Sequence, residues 1–225
     1  MLAEKRAFPE VLREAQERGY AEADPAMDVD GIDAAQKLSI LVNLCFNTAI
    51  SFRDLPYQGI TELTPMDLEM AGEFGYRVKL LASAKRRTTE LEAWVHPALV
   101  PLNHPLATAE GVLNAVYIVD DHLGPSLYYG QGAGGLPTGS AVVADIVSCA
   151  RDILSGAVGR VPVGSSRPGA SHEQPVRLAA DAVSEFYVRV SARDRPGVLS
   201  AISGTLGENG ISISSVIQRG RESVE

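Results

Sequence analysis

Apolar positions recur at helical spacing in four parts of the chain's first two thirds. The longest such pattern runs from about Ile32 to Ile50, where Leu38, Ile40, Leu41, Leu44, Cys45 and Phe46 cover most of a helix circumference. That breadth predicts a central helix, with Asp30 as its cap. Upstream, Phe8, Val11, Leu12 and Ala15 mark a helix over residues 8–18, with Pro9 in its first turn and Gly19 just past its end. Residues 20–30 hold too many turn formers for regular structure and read as a loop. Thr64-Pro65 opens a helix that runs to about Phe74, where Gly75 stops it. Another apolar helix is predicted from about Ser140 to Leu154.

Strand patterns lie between these helices. Residues 76–84 and 89–100 form one predicted pair across the basic turn Lys85-Arg86-Arg87. Residues 112–120 and 126–129 form another around Gly124-Pro125. The resulting class is α+β: helices packed on a mixed or mostly antiparallel sheet. Residues 156–183 are rich in Gly, Pro and Ser and read as a linker. Then residues 185–191 alternate as a strand, Asp194-Arg195-Pro196-Gly197 leads into a helix to about Glu208, and residues 211–218 alternate again. This βαβ unit would leave sheet edges open, so more chain or a second subunit is expected beside it. Both ends look cut: no strand or glycine fingerprint precedes the first helix, and the last strand-like run has no visible partner.

Composition narrows the functional classes. A net charge of −8 over 225 residues argues against nucleic acid or an anionic membrane as the main partner. No opening apolar core marks a signal peptide, and no apolar run reaches the roughly 18 residues a membrane span requires, so a cytoplasmic location is expected. Cys45 and Cys149 both sit in apolar helical patterns and read as reduced thiols packed as small hydrophobes. His96, His104, His122 and His172 have no metal-ligand spacing, and no metal site is expected. Trp94, Tyr128 and Tyr129 read as core.

Candidate chemistry gathers between Gly19 and Lys37, where Glu22, Asp24, Asp28, Asp30 and Asp33 precede a lysine at the head of the apolar helix. Asp33 and Lys37 are spaced i, i+4 and share a helix face. Such a pair is ordinarily a surface salt bridge worth about 0.2–0.5 kcal/mol. A lysine against an apolar wall also suits proton transfer, and carboxylates beside it suit a substrate ammonium. The acidic loop lacks the spacing of a calcium loop. Residues 130–140 form a glycine-rich stretch ahead of a helix, which serves either as a tight connection or as a place for close ligand approach. It is not a Walker loop.

These residues carry a resemblance to a known family. The run GYAEADPAMDVDGIDAAQKL resembles the signature region of homoserine dehydrogenases, and GQGAGGLPTGSAVVADIV, residues 75–81 and HPLATAEGVLNAV continue the likeness. The DRPGVL turn and its βαβ unit resemble the first half of an ACT domain, a ferredoxin-like module. The resemblance implies NAD- or NADP-dependent interconversion of L-homoserine and L-aspartate 4-semialdehyde, on the route to threonine and methionine, in a homo-oligomer. By motif position, Lys37 is similar to the family's proton-transferring lysine. Glu22 and Asp33 match its substrate-binding carboxylates, and Asp28 matches an acidic residue of the same site. Gly19 and Gly134 match backbone positions that contact the nicotinamide cofactor. The implied organisation is a substrate-binding and dimerisation region over 1–155, a linker over 156–183 and a partial ACT domain over 184–225.

The departures bound that reading. The family's nucleotide-binding domain would precede Met1, and with it a second active-site lysine and the segment associated with a sodium site. Gly139 stands where the family commonly has alanine. The alternative from another class is a non-catalytic module for dimerisation and amino-acid-dependent regulation.

Overall fold

The computed structural model describes residues 8–17, 22–87, 90–132, 134–158, 176–177, 184–193 and 195–219. Two compact units divide at residues 184 and 185. The first holds helices α1 (Phe8–Glu17), α2 (Ala26–Val29), α3 (Ile32–Phe46) and α4 (Pro65–Glu73), then strands β1 (Tyr76–Arg86), β2 (Leu91–Pro101), β3 (Leu113–Asp120) and β4 (Gly124–Gln131). Helix α5 (Gly135–Leu154) and the short strand β5 (Val176–Arg177) complete it, and α6 (Val198–Glu208) lies in the second unit.

The core of the first unit forms where α3 crosses β2. Strand β2 pairs antiparallel with β1 over its whole length, from Tyr76↔Pro101 to Arg86↔Leu91. Because alternate strand residues face one side, Leu91, Ala93 and Val95 point together into the core. Helix α3 meets them with Ala35, Leu38 and Val42, one face at three- and four-residue steps. Leu55 closes the end of this cluster, and Phe46, Ile50 and Leu80 pack at its margin. On helix α4, Met70 and Ala71 are buried apart from this cluster. Its start is a capping box, in which the Thr64 hydroxyl accepts from Asp67 N while the Asp67 carboxylate accepts from Thr64 N. Gly75, at φ +84, ends it as expected.

Strands β3 and β4 form a separate antiparallel hairpin. Its turn is held by the Asp120 carboxylate, which accepts from His122 N at 2.8 Å and Leu123 N at 2.7 Å. Those two N–H groups, Leu123 first, hold the Asp120 carboxyl below its ordinary value.

Several expectations change. The long helix ends at Phe46, four residues early, with Asn47 in the left-handed region at φ +54. It buries one face only: Ile40, Leu41 and Leu44 are exposed. Its cap residue is Gly31, not Asp30, and no side chain bonds to its first turn. The stretch read as loop contains one helical turn, α2. Helix α5 begins five residues early, at Gly135; Pro137 fits because first-turn N–H groups need no helical partner. Helix α5 buries no residue, and Cys149 on it is exposed, as is Cys45 in the last turn of α3. Neither thiol is the packed small hydrophobe expected. Tyr128 and Tyr129 are surface residues rather than core, with Tyr128 66% exposed. Trp94 stacks on His96 with ring centroids 3.8 Å apart.

Within the region read as linker, Val176 and Arg177 pair parallel with Leu91 and Glu92 as β5. In the second unit, α6 forms as expected, with Gly197 at φ +90 as its cap. Residues 184–193 and 211–219 flank α6 and enter no ladder among the described residues. A split βαβ unit accounts for this, since its two strands are not neighbours and cannot pair with each other. No helix of the described residues is long and apolar enough to cross a membrane.

Candidate functional site

The acidic loop is assembled from three directions. From α1, Gln16 Nε2 donates to the carbonyls of Glu22 at 2.9 Å and Ala23 at 3.3 Å, which fixes the backbone that carries Glu22. Asp24 then turns the chain by accepting from Ala26 N at 3.1 Å, a local carboxylate turn that starts α2. Helix α2 carries Asp28 and closes on Gly31, whose N–H donates to Asp28 O at 3.2 Å. At φ +81, Gly31 makes the reversal into α3, a conformation that disfavours any side chain.

One turn into α3, Lys37 Nζ donates to Asp33 Oδ2 at 2.5 Å. Lys37 is 68% exposed and Asp33 36%, so the ammonium stands in the open and not against an apolar wall. Glu22 and Asp28 are exposed on the segment leading into it. The structure therefore brings Asp33 and Lys37 into direct contact and places Asp28 on the adjoining turn. Gly19 lies outside the described residues. Gly134 caps α5 at φ +114 and accepts from Thr138 N through its carbonyl at 3.1 Å. Among the described residues, no hydrogen bond joins it to the Asp28–Lys37 group.

Two features escaped the pattern reading. Residues 56–60 run as a strap between β2 and the acidic turn: Val95 N donates to Pro56 O at 3.0 Å and Gln58 N to Val95 O at 2.8 Å. Ile60 N then donates to Val29 O at 2.8 Å. The lone sequence signal was Gly59, inside a stretch with no periodicity. Away from this site, Lys79 on β1 donates to Ala109 O, and Arg77 pairs with Glu110. Burial, and secondarily the Arg77 charge, hold the Lys79 ammonium below its ordinary value, with Glu110 opposing. These contacts pin β1 to the segment before β3. No cluster of three or more metal-ligating side chains occurs among the described residues.

The family profile described as homoserine dehydrogenase matches residues 1–147, and that described as ACT domain matches residues 186–224.

The chain belongs to the homoserine dehydrogenase family.

It is 44% identical over 217 residues to a homoserine dehydrogenase of Pseudomonas aeruginosa, covering 96% of this chain and 50% of the relative. A Neisseria gonorrhoeae homoserine dehydrogenase is 42% identical, with 95% and 49% covered. The crystal structure of a Thiobacillus denitrificans homoserine dehydrogenase superposes with a TM-score of 0.84 at 40% identity, covering 97% of this chain and 51% of that one. A hyperthermophilic archaeal homoserine dehydrogenase mutant in complex with NADPH aligns at 30% identity and a TM-score of 0.51, covering 64% of this chain and 40% of that one. The chain thus spans about half the length of the curated relatives it matches. The α+β class and the ACT module agree with these likenesses.

Proposed function

We propose that these residues supply the substrate-binding part of a homoserine dehydrogenase, which interconverts L-homoserine and L-aspartate 4-semialdehyde with NAD or NADP. The observation that supports it most is the Asp33–Lys37 contact at 2.5 Å, directly behind the Asp28 turn and inside the family-matched region. An amino acid substrate carries an ammonium, and the exposed carboxylates of Glu22 and Asp28 and the half-buried one of Asp33 suit it. Lys37 then stands at the substrate's reacting oxygen and holds or takes its proton. Asp33 orients the lysine and keeps the ammonium end of the substrate at a defined distance. The nicotinamide, when bound, supplies or accepts the hydride. Gly134 suits close approach of that ring, because its φ of +114 and missing side chain leave the head of α5 open. Gly19 is assigned the same role by motif alone.

We assign residues 1–155 to substrate binding and self-association, 156–183 to a linker and 184–225 to a partial ACT domain. Exposed Val119 and Tyr128 on the β3–β4 hairpin support self-association. The enzyme reading is tested by turnover. The chain is joined behind the nucleotide-binding half of the Pseudomonas aeruginosa relative, and homoserine-dependent reduction of NAD and of NADP is followed by nicotinamide absorbance. Activity is expected, and Lys37→Ala should lower kcat by about 10²–10⁴-fold, the usual worth of a positioned proton donor. Near-parental turnover in Lys37→Ala would reject the assignment. A regulatory, non-catalytic module would instead show no turnover in any fusion.

A further inference from the structure

The strap between β2 and the acidic turn meets that turn at a glycine with no room for a side chain. A Cβ built on Gly59 lies 2.0 Å from Val29 O and 2.5 Å from Asp30 Cα. Both are backbone atoms, so no rotamer change relieves the contact. The backbone dihedrals of Gly59 lie outside the positive-φ region, so space and not conformation excludes a larger residue there. Opposite it, a Cβ on Gly31 would lie 3.4 Å from Gln58 O. The two segments therefore touch backbone to backbone, and the Ile60 N–H to Val29 O bond at 2.8 Å locks the contact. The strap is anchored in turn on Val95, a fully buried residue of the rigid core that also seats α3.

We infer that Gly59 is a positioning residue: its close contact with the Val29–Asp30 peptide sets where Asp28 stands relative to Asp33 and Lys37. Two paths lead from β2 to the proposed site. One passes through Ala35 and Leu38 into α3 and fixes Asp33 and Lys37. The other passes through Pro56, Gln58 and Gly59 into the α2 turn and fixes Asp28. Adding a methyl group at Gly59 pushes directly on the second path, while burial of Ala35 and Leu38 keeps α3 seated on the first. A displacement on the order of 1 Å at a substrate-holding group is enough to cost about 10²-fold in efficiency. The effect belongs to substrate binding, because Lys37 stays on its own anchor. This inference rests on the homoserine dehydrogenase reading.

The test is Gly59→Ala in the same fusion enzyme, with Gly72→Ala as control, since a Cβ at Gly72 meets nothing within 4 Å. Gly59→Ala is expected to raise KM for L-homoserine by about tenfold or more. The KM for the nicotinamide cofactor should stay within about twofold, and the pH profile of kcat should be unchanged, as expected when the proton-transferring group keeps its anchor. A uniform loss of active protein, with normal KM in what remains, would reduce Gly59 to a folding role and overturn the inference. Ile60→Pro, which removes the N–H to Val29 O and sets a ring methylene against that oxygen, disturbs the same contact and should give the same selective rise. If Gly59→Ala does not fold, the inference stands on Ile60→Pro and falls if that variant has parental KM or also fails to fold. A parental fusion without turnover overturns the functional reading and this inference together. An active parent with an unaffected Gly59→Ala overturns only the inference.

Discussion

Arg86 and Phe46 tie the exit of α3 to the end of β1. Arg86 Nη2 donates to Phe46 O at 3.1 Å, and its guanidinium lies 4.9 Å above the Phe46 ring centroid. One side chain thus satisfies a terminal helix carbonyl and stacks on the residue that bears it. The helix that begins near Asp33 and Lys37 is held to the sheet at its far end by this contact.

Arg86→Ala should therefore destabilise the fold by about 1 kcal/mol, from one net hydrogen bond and an exposed cation–π contact. Thermal unfolding of the chain should shift down by a few degrees, about 2–4 °C for a domain of this size. Arg86→Lys should recover little, because an ammonium reproduces neither the planar stack nor the fork.

Leu91, the first residue of β2, is fully buried against the α3 face of Ala35, Leu38 and Val42. Leu91→Ala leaves a cavity that the α3 face cannot fill, with an expected cost of about 2–5 kcal/mol. Denaturant unfolding should show a lower midpoint with little change in slope.

Gly139 lies in the second turn of α5, and a Cβ there meets nothing within 4 Å. Gly139→Ala should stabilise α5 by about 0.5–1 kcal/mol through reduced backbone entropy of the unfolded chain. A rise in melting temperature checks it; a fall would mean that the surface of α5 at this point is covered.

The Glu92 carboxylate accepts from Arg87 Nε at 3.1 Å and Nη2 at 2.8 Å, and is 12% exposed. These hydrogen bonds hold its carboxyl below the ordinary value of 4.5, against burial, which pushes it up. Because the folded value is the lower one, the stabilisation is fully present above the ordinary value. It is lost as pH falls through the folded one. Arg87→Ala should accordingly cost more stability at neutral pH than in acid below that window. Urea unfolding of both proteins across pH reads the difference, and a constant gap would show that the pair does not couple to the proton.

Much of the scaffold is legible in the sequence. The Thr64–Asp67 capping box, Gly75 at the end of α4, the β1–β2 pair and the i, i+4 relation of Asp33 to Lys37 all depend on residues close in sequence. Their signals are backbone conformation, side-chain capping and periodicity, which a short window contains. The motif likewise marks Glu22, Asp28, Asp33 and Lys37 as candidates without geometry.

Tertiary structure decided the rest, because it depends on which surfaces meet. Periodicity could not tell that Leu41, Leu44 and Cys45 face outward while Leu38 and Val42 face β2. Nor could it place Val176 and Arg177 beside β2, some 85 residues away in the chain. The clearest case is Gly59. In the sequence it is one glycine among 21. In the fold its missing Cβ is what lets the strap reach the Val29–Asp30 peptide. A local pattern records what a residue prefers, whereas a close approach of two backbones exists only once both segments are anchored on the same core.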